Sequence, residues 1–141
     1  MRIFVRRQWI RGLTLGGCLA LGVSGCGWSE SGPPRHDVQG HITYAGQQVP
    51  RGLIRFTPDH SKGNSGPGAV ADIHDGFFRT KSGRGVISGP HVVLISGFDG
   101  VAQPDSALPE GASLFSPYTT TWNFEDKTAV VDIEVPAKKA R

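Results

Sequence analysis

The chain has 141 residues, among them 15 Lys and Arg against 12 Asp and Glu, 20 Gly and 10 Pro. This length allows one domain, or one domain plus an appendage. Charged residues make up 19% and aromatic residues 9%, which excludes a disordered polyelectrolyte and a multispanning membrane protein. The high content of Gly and Pro indicates many turns and few helices.

Residues 1–25 have the pattern of a signal peptide, which is removed by cleavage. They contain four arginines and no acidic residue, and an apolar run over 13–23 follows the last of these arginines. A run of about 11 residues is short for a bilayer, which takes about 20, so a permanent transmembrane anchor is the less favoured alternative. Without this segment, 11 basic and 12 acidic residues remain. The charge therefore gives no indication of nucleic-acid binding.

The end of this segment reads Val23-Ser24-Gly25-Cys26. It resembles the lipobox of bacterial lipoproteins, in which an apolar residue and two small residues precede a cysteine. The resemblance implies that signal peptidase recognises Val23, Ser24 and Gly25, and that cleavage makes Cys26 the N-terminus. It also implies that the Cys26 thiol carries a diacylglyceryl group with acyl chains such as palmitate. Two or three acyl chains would hold the protein on a membrane.

A competing match ends at Cys18, but almost no apolar run precedes that residue, so we favour Cys26. With Cys18 removed and Cys26 lipidated, no free thiol remains for a disulfide, a metal or a nucleophile. Residues 26–37 are typical of a flexible tether, which reaches at most about 36–40 Å. Gly27 rather than Asp follows the cysteine. By the best-known lipoprotein sorting rule, this favours the outer membrane, facing the periplasm, over the inner membrane.

From residue 38 onward the sequence predicts short strands in which apolar and polar residues alternate. In chain order the predicted strands cover 38–44, 49–57, 69–74, 77–80, 92–95, 119–124 and 130–135. Asp75-Gly76 predicts a tight hairpin turn. The strand at 92–95 is apolar throughout, so we expect it to be central and buried on both faces. Long loops are expected over 59–68 and 99–113.

These elements predict an all-β fold, a small antiparallel β-sandwich of about seven strands over 38–136, or a barrel. No stretch after the cysteine at 26 has helical periodicity. A domain of about 100 residues buries about two-thirds of its surface, which is enough to fold without disulfides or metals. Residues 137–141 form a basic tail.

Several motifs follow one another in this domain. They are Gly40-x-Ile42-x-Tyr44-x-Gly46-x-x-Val49-Pro50, Ile54-x-Phe56, Asp75-Gly76-Phe77-Phe78 and Gly85-x-x-x-Gly89-Pro90-His91-Val92-Val93-x-Ile95. Over about residues 37–136 their order resembles that of a carboxypeptidase regulatory-like domain. The resemblance implies a transthyretin-like (prealbumin-like) sandwich and a non-catalytic module, without naming a ligand. The chain departs from the family at His91, where Tyr is usual.

The candidate transition-metal ligands are the five histidines His36, His41, His60, His74 and His91. No two of them have the short spacing of a metal site, so we predict no metal site and no cofactor. His41 and His74 are expected to face solvent. His91 falls on the same face as the apolar residues of its strand, so we expect it to be packed and hydrogen-bonded.

Other candidate sites are weak. Asp72 and Asp75 fall short of a calcium-binding loop, and residues 63–68 lack the ending of a phosphate-binding loop. No Gly-x-Ser-x-Gly motif is present, and the C-terminal Tyr-Arg-Gly-Ser of transthyretin-like ureide hydrolases is absent. We therefore predict no catalytic residues.

Aromatic residues are the remaining candidates for a ligand-binding face. Four lie near the C-terminus: Phe115, Tyr118, Trp122 and Phe124. They either line such a face or pack in the core, and we favour core packing for half of them. Phe77 is expected to point outward beside a core-facing Phe78.

The sequence as a whole favours a non-catalytic lipoprotein of the cell envelope that acts as a structural or adhesive interaction module. Its expected partners are the membrane, through the lipid anchor, and an envelope protein or glycan. One alternative is a small-ligand or glycan-binding domain that uses the 99–113 loop or the C-terminal aromatic residues. A less favoured alternative is a transthyretin-like hydrolase. No ligand-binding residue can be assigned from the sequence.

Overall fold

Alternation of apolar and polar residues produces a fold of β-strands in the computed structural model, which describes residues 32–103, 105 and 108–137. Within these residues there is no α-helix, and the helical turn at His60–Lys62 is of the 3-10 type. None of the described segments is a helix long and apolar enough to cross a membrane. The all-β prediction is confirmed.

Nine strands are present in the described part of the chain. They are β1 (Val38–Tyr44), β2 (Gln47–Gln48), β3 (Arg51–Pro58), β4 (Ala69–His74), β5 (Phe77–Arg79), β6 (Gly89–Phe98), β7 (Tyr118–Phe124), β8 (Ala129–Val130) and β9 (Ile133–Val135). Seven of them hydrogen-bond in the order β2-β1-β5-β4-β3-β6-β7, with antiparallel neighbours. β8 and β9 join β1 in parallel. The sheet curls into a half-barrel.

Two tight turns set the register of the first hairpins. Ala45 and Gly46 connect β1 to β2 with φ angles of 51° and 75°, and Asp75 and Gly76 connect β4 to β5 with φ angles of 48° and 78°. Positive φ at both central residues is the type I′ conformation, whose twist matches that of the flanking strands. The hairpin predicted at Asp75-Gly76 is confirmed.

One hydrophobic cluster fills the inner face of the sheet. Every second residue of β4 is buried, and the same alternation holds over most of β3 and β6. Phe56 lies in the middle of the cluster, with its ring centroid 6.0 Å from that of Phe78 and 5.6 Å from that of Phe124. Edge-on and tilted aromatic contacts of this kind add to the gain from burial.

The position of β6 differs from the prediction. This strand runs from Gly89 to Phe98 and lies next to last in the sheet, between β3 and the edge strand β7. Val93 and Ile95 are fully buried, but Val92 and Leu94 are only half-buried. The expectation of a central strand buried on both faces was wrong, because the outward residues of this strand are only half-buried and a single described strand lies beyond it.

The segment predicted as one strand at the C-terminus is divided in two. β8 ends at Val130 and β9 begins at Ile133, and between them the Asp132 carboxylate accepts a hydrogen bond from the His41 backbone N–H at 2.8 Å. A side chain therefore takes the place of a strand carbonyl at this point. Val131 turns inward and is fully buried, as its alternation predicted.

Candidate functional site

A groove opens where β4 and β5 separate. The two strands pair only at Ile73 with Phe78 and at His74 with Phe77, because β5 continues along β1 while β4 continues along β3. Over residues 69–72, β4 has a hydrogen-bonded neighbour on the β3 side and none on the other among the described strands. The groove along this stretch has a volume of about 820 Å³.

Basic side chains are concentrated around the groove. The described residues contain eight Lys and Arg and eleven Asp and Glu, so this part of the chain is acidic overall. Four of the eight basic residues line the groove, and one acidic residue accompanies them. The basic residues are Arg35, Arg79, Lys81 and Arg84, and the acidic residue is Asp72. Such a segregation of charge produces a local positive potential that attracts anions.

Arg35 is fixed at one end of the groove by backbone carbonyl groups. Its Nε donates to the Gly85 carbonyl at 2.9 Å, and its Nη2 donates to the carbonyls of Gly68 at 2.7 Å and Arg84 at 3.1 Å. The guanidinium thus bridges the segment before β4 and the loop after β5. Because carbonyls do not neutralise it, its charge is held in place and remains available to an anion.

Apolar side chains also line the groove. Phe77 is 39% exposed and Val70 is 47% exposed, unusually open for residues of this size. The Phe77 ring centroid lies 5.4 Å from that of His41 and 6.0 Å from the Arg79 guanidinium carbon. Arg79 in turn donates a hydrogen bond to the Gln39 side chain. The outward Phe77 beside the buried Phe78 is as predicted.

The predicted lipid-attachment site lies outside the described residues. This applies to Cys26 and to Val23, Ser24 and Gly25, which precede it. The expected tether covered 26–37, and its last residues contact the domain directly. His36 pairs with Val86 in a β-bridge, and its Nε2 lies 2.6 Å from a carboxylate oxygen of Asp126.

The histidines do not converge. His41 and His74 face solvent as predicted, with His41 Nδ1 3.2 Å from the Asp132 carboxylate and His74 in contact with Arg51. His60 is exposed in the 3-10 turn. Among the described residues, no three His, Cys, Asp or Glu side chains are grouped so that they could hold a metal ion.

His91 is fully buried, as its place in the alternation predicted. Its Nδ1 lies 2.9 Å from the Gly89 carbonyl oxygen, with which it forms a hydrogen bond, but its Nε2 has no hydrogen-bond partner among the described residues. The ring packs edge-on against Phe124 at 5.2 Å between centroids. Burial lowers the pKa of His91 below its ordinary value, because the charged imidazolium is unfavourable away from water. The prediction of a packed and hydrogen-bonded histidine is therefore confirmed, and the hydrogen bond is formed by Nδ1.

The C-terminal aromatic residues divide between core and surface. Phe124 is buried in the core, Tyr118 and Phe115 pack against it, and Trp122 is 38% exposed. Trp122 borders a shallow pocket of about 210 Å³ that also contains the exposed Val130. The four aromatic side chains form no continuous platform, because three of them lie in the core or pack against it.

Sequence reasoning did not identify the four basic residues of the groove. They are spread between positions 35 and 84, and no motif connects them. Arg79 alternates outward in β5, which gives a weak signal, but the proximity of Arg35 to the 81–84 turn depends on the pairing of His36 with Val86.

Comparison with known proteins found no match among protein-family models, curated proteins or solved structures.

Proposed function

We propose that this protein is a non-catalytic lipoprotein of the bacterial cell envelope whose domain is an interaction module. The single observation that carries the interaction role is the concentration of four basic side chains around one groove in an otherwise acidic domain. Surface charge without a binding role has no reason to collect around one groove. A site that recognises an acidic partner gains attraction from such a concentration of basic side chains.

Anchoring through Cys26 is the second part of the proposal. It is supported by the sequence Val23-Ser24-Gly25-Cys26 after a basic and apolar leader. Residues 26–34 provide a short polar spacer before Arg35 meets the domain. A lipidated cysteine on this spacer would hold the domain at the membrane, with the outer membrane facing the periplasm as the favoured location. We also propose that the domain is a transthyretin-like sandwich, supported by the motif order and the all-β architecture.

The anchor is tested by mass spectrometry and membrane fractionation. Protein purified from native membranes should begin at Cys26 and carry the mass of two or three acyl chains. Cys26→Ala should move the protein to the soluble fraction, while the matched variant Cys18→Ala should leave it in membranes. Retention of Cys26→Ala in membranes, or an unacylated mass, would overturn lipid anchoring.

The alternative of a small-ligand or glycan-binding domain has one specific observation in its favour, the partly exposed Trp122 beside its shallow pocket. A glycan array provides the test. Glycan binding that Trp122→Ala abolishes and Phe77→Ala leaves unchanged would favour this alternative over the groove.

A further inference from the structure

We propose that the groove takes an extended acidic peptide segment of an envelope partner, which adds to β4 as a further strand. This inference rests on the proposed interaction role and names the ligand class. It depends on three features of the same groove: the one-sided edge of β4, the basic side chains beyond it, and the small side chains beneath it.

The edge of β4 provides the main-chain part of the site. Over residues 69–72 the described part of the sheet pairs β4 with β3 only. A strand edge of this kind presents backbone N–H and C=O groups to an incoming extended chain. At about 3.3 Å per residue, four residues offer about 13 Å of pairing length, which matches about four residues of an extended peptide.

The basic side chains determine the charge of the partner. Val70 and Asp72 alternate outward in β4, and the outward side chains of an added strand would lie beside them. Across the groove these side chains would meet Arg79, Lys81 and the fixed guanidinium of Arg35. Carboxylates at alternate peptide positions complement these three cationic side chains, which outnumber the single carboxylate of Asp72, whereas basic side chains would be repelled.

The small side chains leave room on the inner side. Ala69 and Ala71 are the inward residues of β4 along the groove, and both line it together with Phe78. Inward side chains of an added strand would pack beside these alanines. A peptide that alternates Glu with Val therefore fits both sides. A polysaccharide would also satisfy the charges, but it would not use the strand edge.

The binding test uses the purified full chain and a fluorescent peptide, Glu-Val-Glu-Val-Glu, measured by anisotropy. We expect it to bind at least tenfold more tightly than Lys-Val-Lys-Val-Lys. Two N-methylated forms of the peptide are compared, each methylated at one of the two alternating sets of backbone nitrogens. Binding should weaken at least tenfold for the form whose methyl groups lie on the nitrogens that face β4. Equal binding of both N-methylated forms, stronger competition by polygalacturonate than by the unlabelled peptide, or no binding at millimolar peptide would each overturn strand addition.

Matched variants locate the site. The double variant Arg79→Ser, Lys81→Ser should weaken binding at least fivefold. The double variant Lys62→Ser, Lys127→Ser removes the same charge away from the groove and should change binding less than twofold. All variants have the same N-terminal segment, so any contribution of its charges cancels. An equal loss in both double variants would overturn the assignment to the groove.

Nuclear magnetic resonance distinguishes strand addition from general attraction. Backbone amides within 69–72 should shift and gain protection from hydrogen exchange when the peptide binds, and unchanged amides there would overturn the inference. The test does not depend on Cys26. If protein from native membranes carries the lipid but the purified chain fails to bind, this inference alone is overturned; if the purified chain binds but protein from native membranes carries no lipid, only the envelope anchor is overturned.

Discussion

At the scale of single residues, His91 has the environment with the clearest consequence for stability. Its side chain is fully buried, its Nδ1 forms a hydrogen bond with the Gly89 carbonyl, and within the described part of the chain its Nε2 has no hydrogen-bond partner. Burial holds the pKa of His91 below its ordinary value of 6.5, because an imidazolium away from water is unfavourable. Between these two pKa values, the unfolded chain binds the proton at this position more readily than the folded protein does.

The stability of the protein should therefore fall on acidification in part through His91. The part of the stability that depends on a neutral His91 is fully present above about pH 6.5. It decreases as the pH falls below this value and stops decreasing below the folded-state pKa. For one such group the slope is at most about 1.4 kcal/mol per pH unit. His91→Phe keeps a ring against Phe124 and removes the titration. Urea unfolding at about pH 7.5 and pH 5 should show a smaller loss for this variant, and equal losses would contradict the assignment.

Gly40 is the residue at which the least space is available. A Cβ built there would lie 1.9 Å from the Val131 carbonyl oxygen and 2.6 Å from its carbonyl carbon. The backbone after β8 approaches β1 this closely only because no side chain intervenes. Backbone atoms cannot move aside as the end of a flexible side chain can.

We expect Gly40→Ala to lower the free energy of unfolding by about 2–3 kcal/mol, the upper part of the usual range for overpacking. Urea unfolding measures this change. The control is Gly32→Ala, since a Cβ at Gly32 meets no atom within 4 Å, and it should leave the unfolding midpoint unchanged. A cost below about 0.5 kcal/mol for Gly40→Ala would show that β1 and the 131–132 segment pack less closely than described.

At the scale of elements, the β4–β5 hairpin combines turn chemistry with the opening of the groove. Gly76 has a φ of 78°, and Gly46 in the β1–β2 hairpin has a φ of 75°. L-residues pay about 1–2 kcal/mol in this region. A Cβ at Gly76 would also meet the Gln48 side chain at 2.8 Å, whereas a Cβ at Gly46 meets nothing within 4 Å.

The two turns therefore make a matched pair for one prediction. Gly46→Ala should cost about 1–2 kcal/mol from backbone strain alone. Gly76→Ala should cost the same or slightly more, because the Gln48 side chain is exposed and can move aside. Thermal and urea unfolding provide both values. A much smaller cost at Gly76 than at Gly46 would contradict the type I′ turn between β4 and β5.

The local alternation of apolar and polar residues predicted the strands, but it could not predict which strands pair with each other. Alternation placed β1, β3 and β4 close to their observed bounds and placed His91 on the inner face, because both follow from the two-residue period of a strand. The same period cannot show which strands are neighbours, so the place of β6 was wrong. The break between β8 and β9 depends on Asp132 bonding to His41, and the groove depends on β5 leaving β4 after two pairs. Both are long-range features of pairing.

At the scale of the whole molecule, the distribution of charge is the most informative property. The described part of the chain is acidic, yet half of its Lys and Arg residues line one groove with a single acidic residue. Like charges in one place repel each other, so we expect this arrangement to lower the stability of the fold without ligand. It is the reverse of what selection for stability alone would produce, and it is expected where a site keeps charge for a partner.

This trade-off leads to a prediction about salt. The Lys81 side chain is exposed and forms no ion pair or hydrogen bond with the described residues, so Lys81→Ser should raise the free energy of unfolding by a few tenths of a kcal/mol at about 0.01 M salt. Lys62 lies 3.7 Å from the Asp59 carboxylate, so Lys62→Ser should act in the opposite direction. Near 1 M salt, where the Debye length falls to about 3 Å, both effects should vanish. Urea unfolding at the two salt concentrations measures the four differences. If Lys81→Ser were destabilising at low salt, Lys81 would form a favourable contact in the groove. Its charge would then stabilise the fold itself, which would contradict the interpretation that it is kept for a partner.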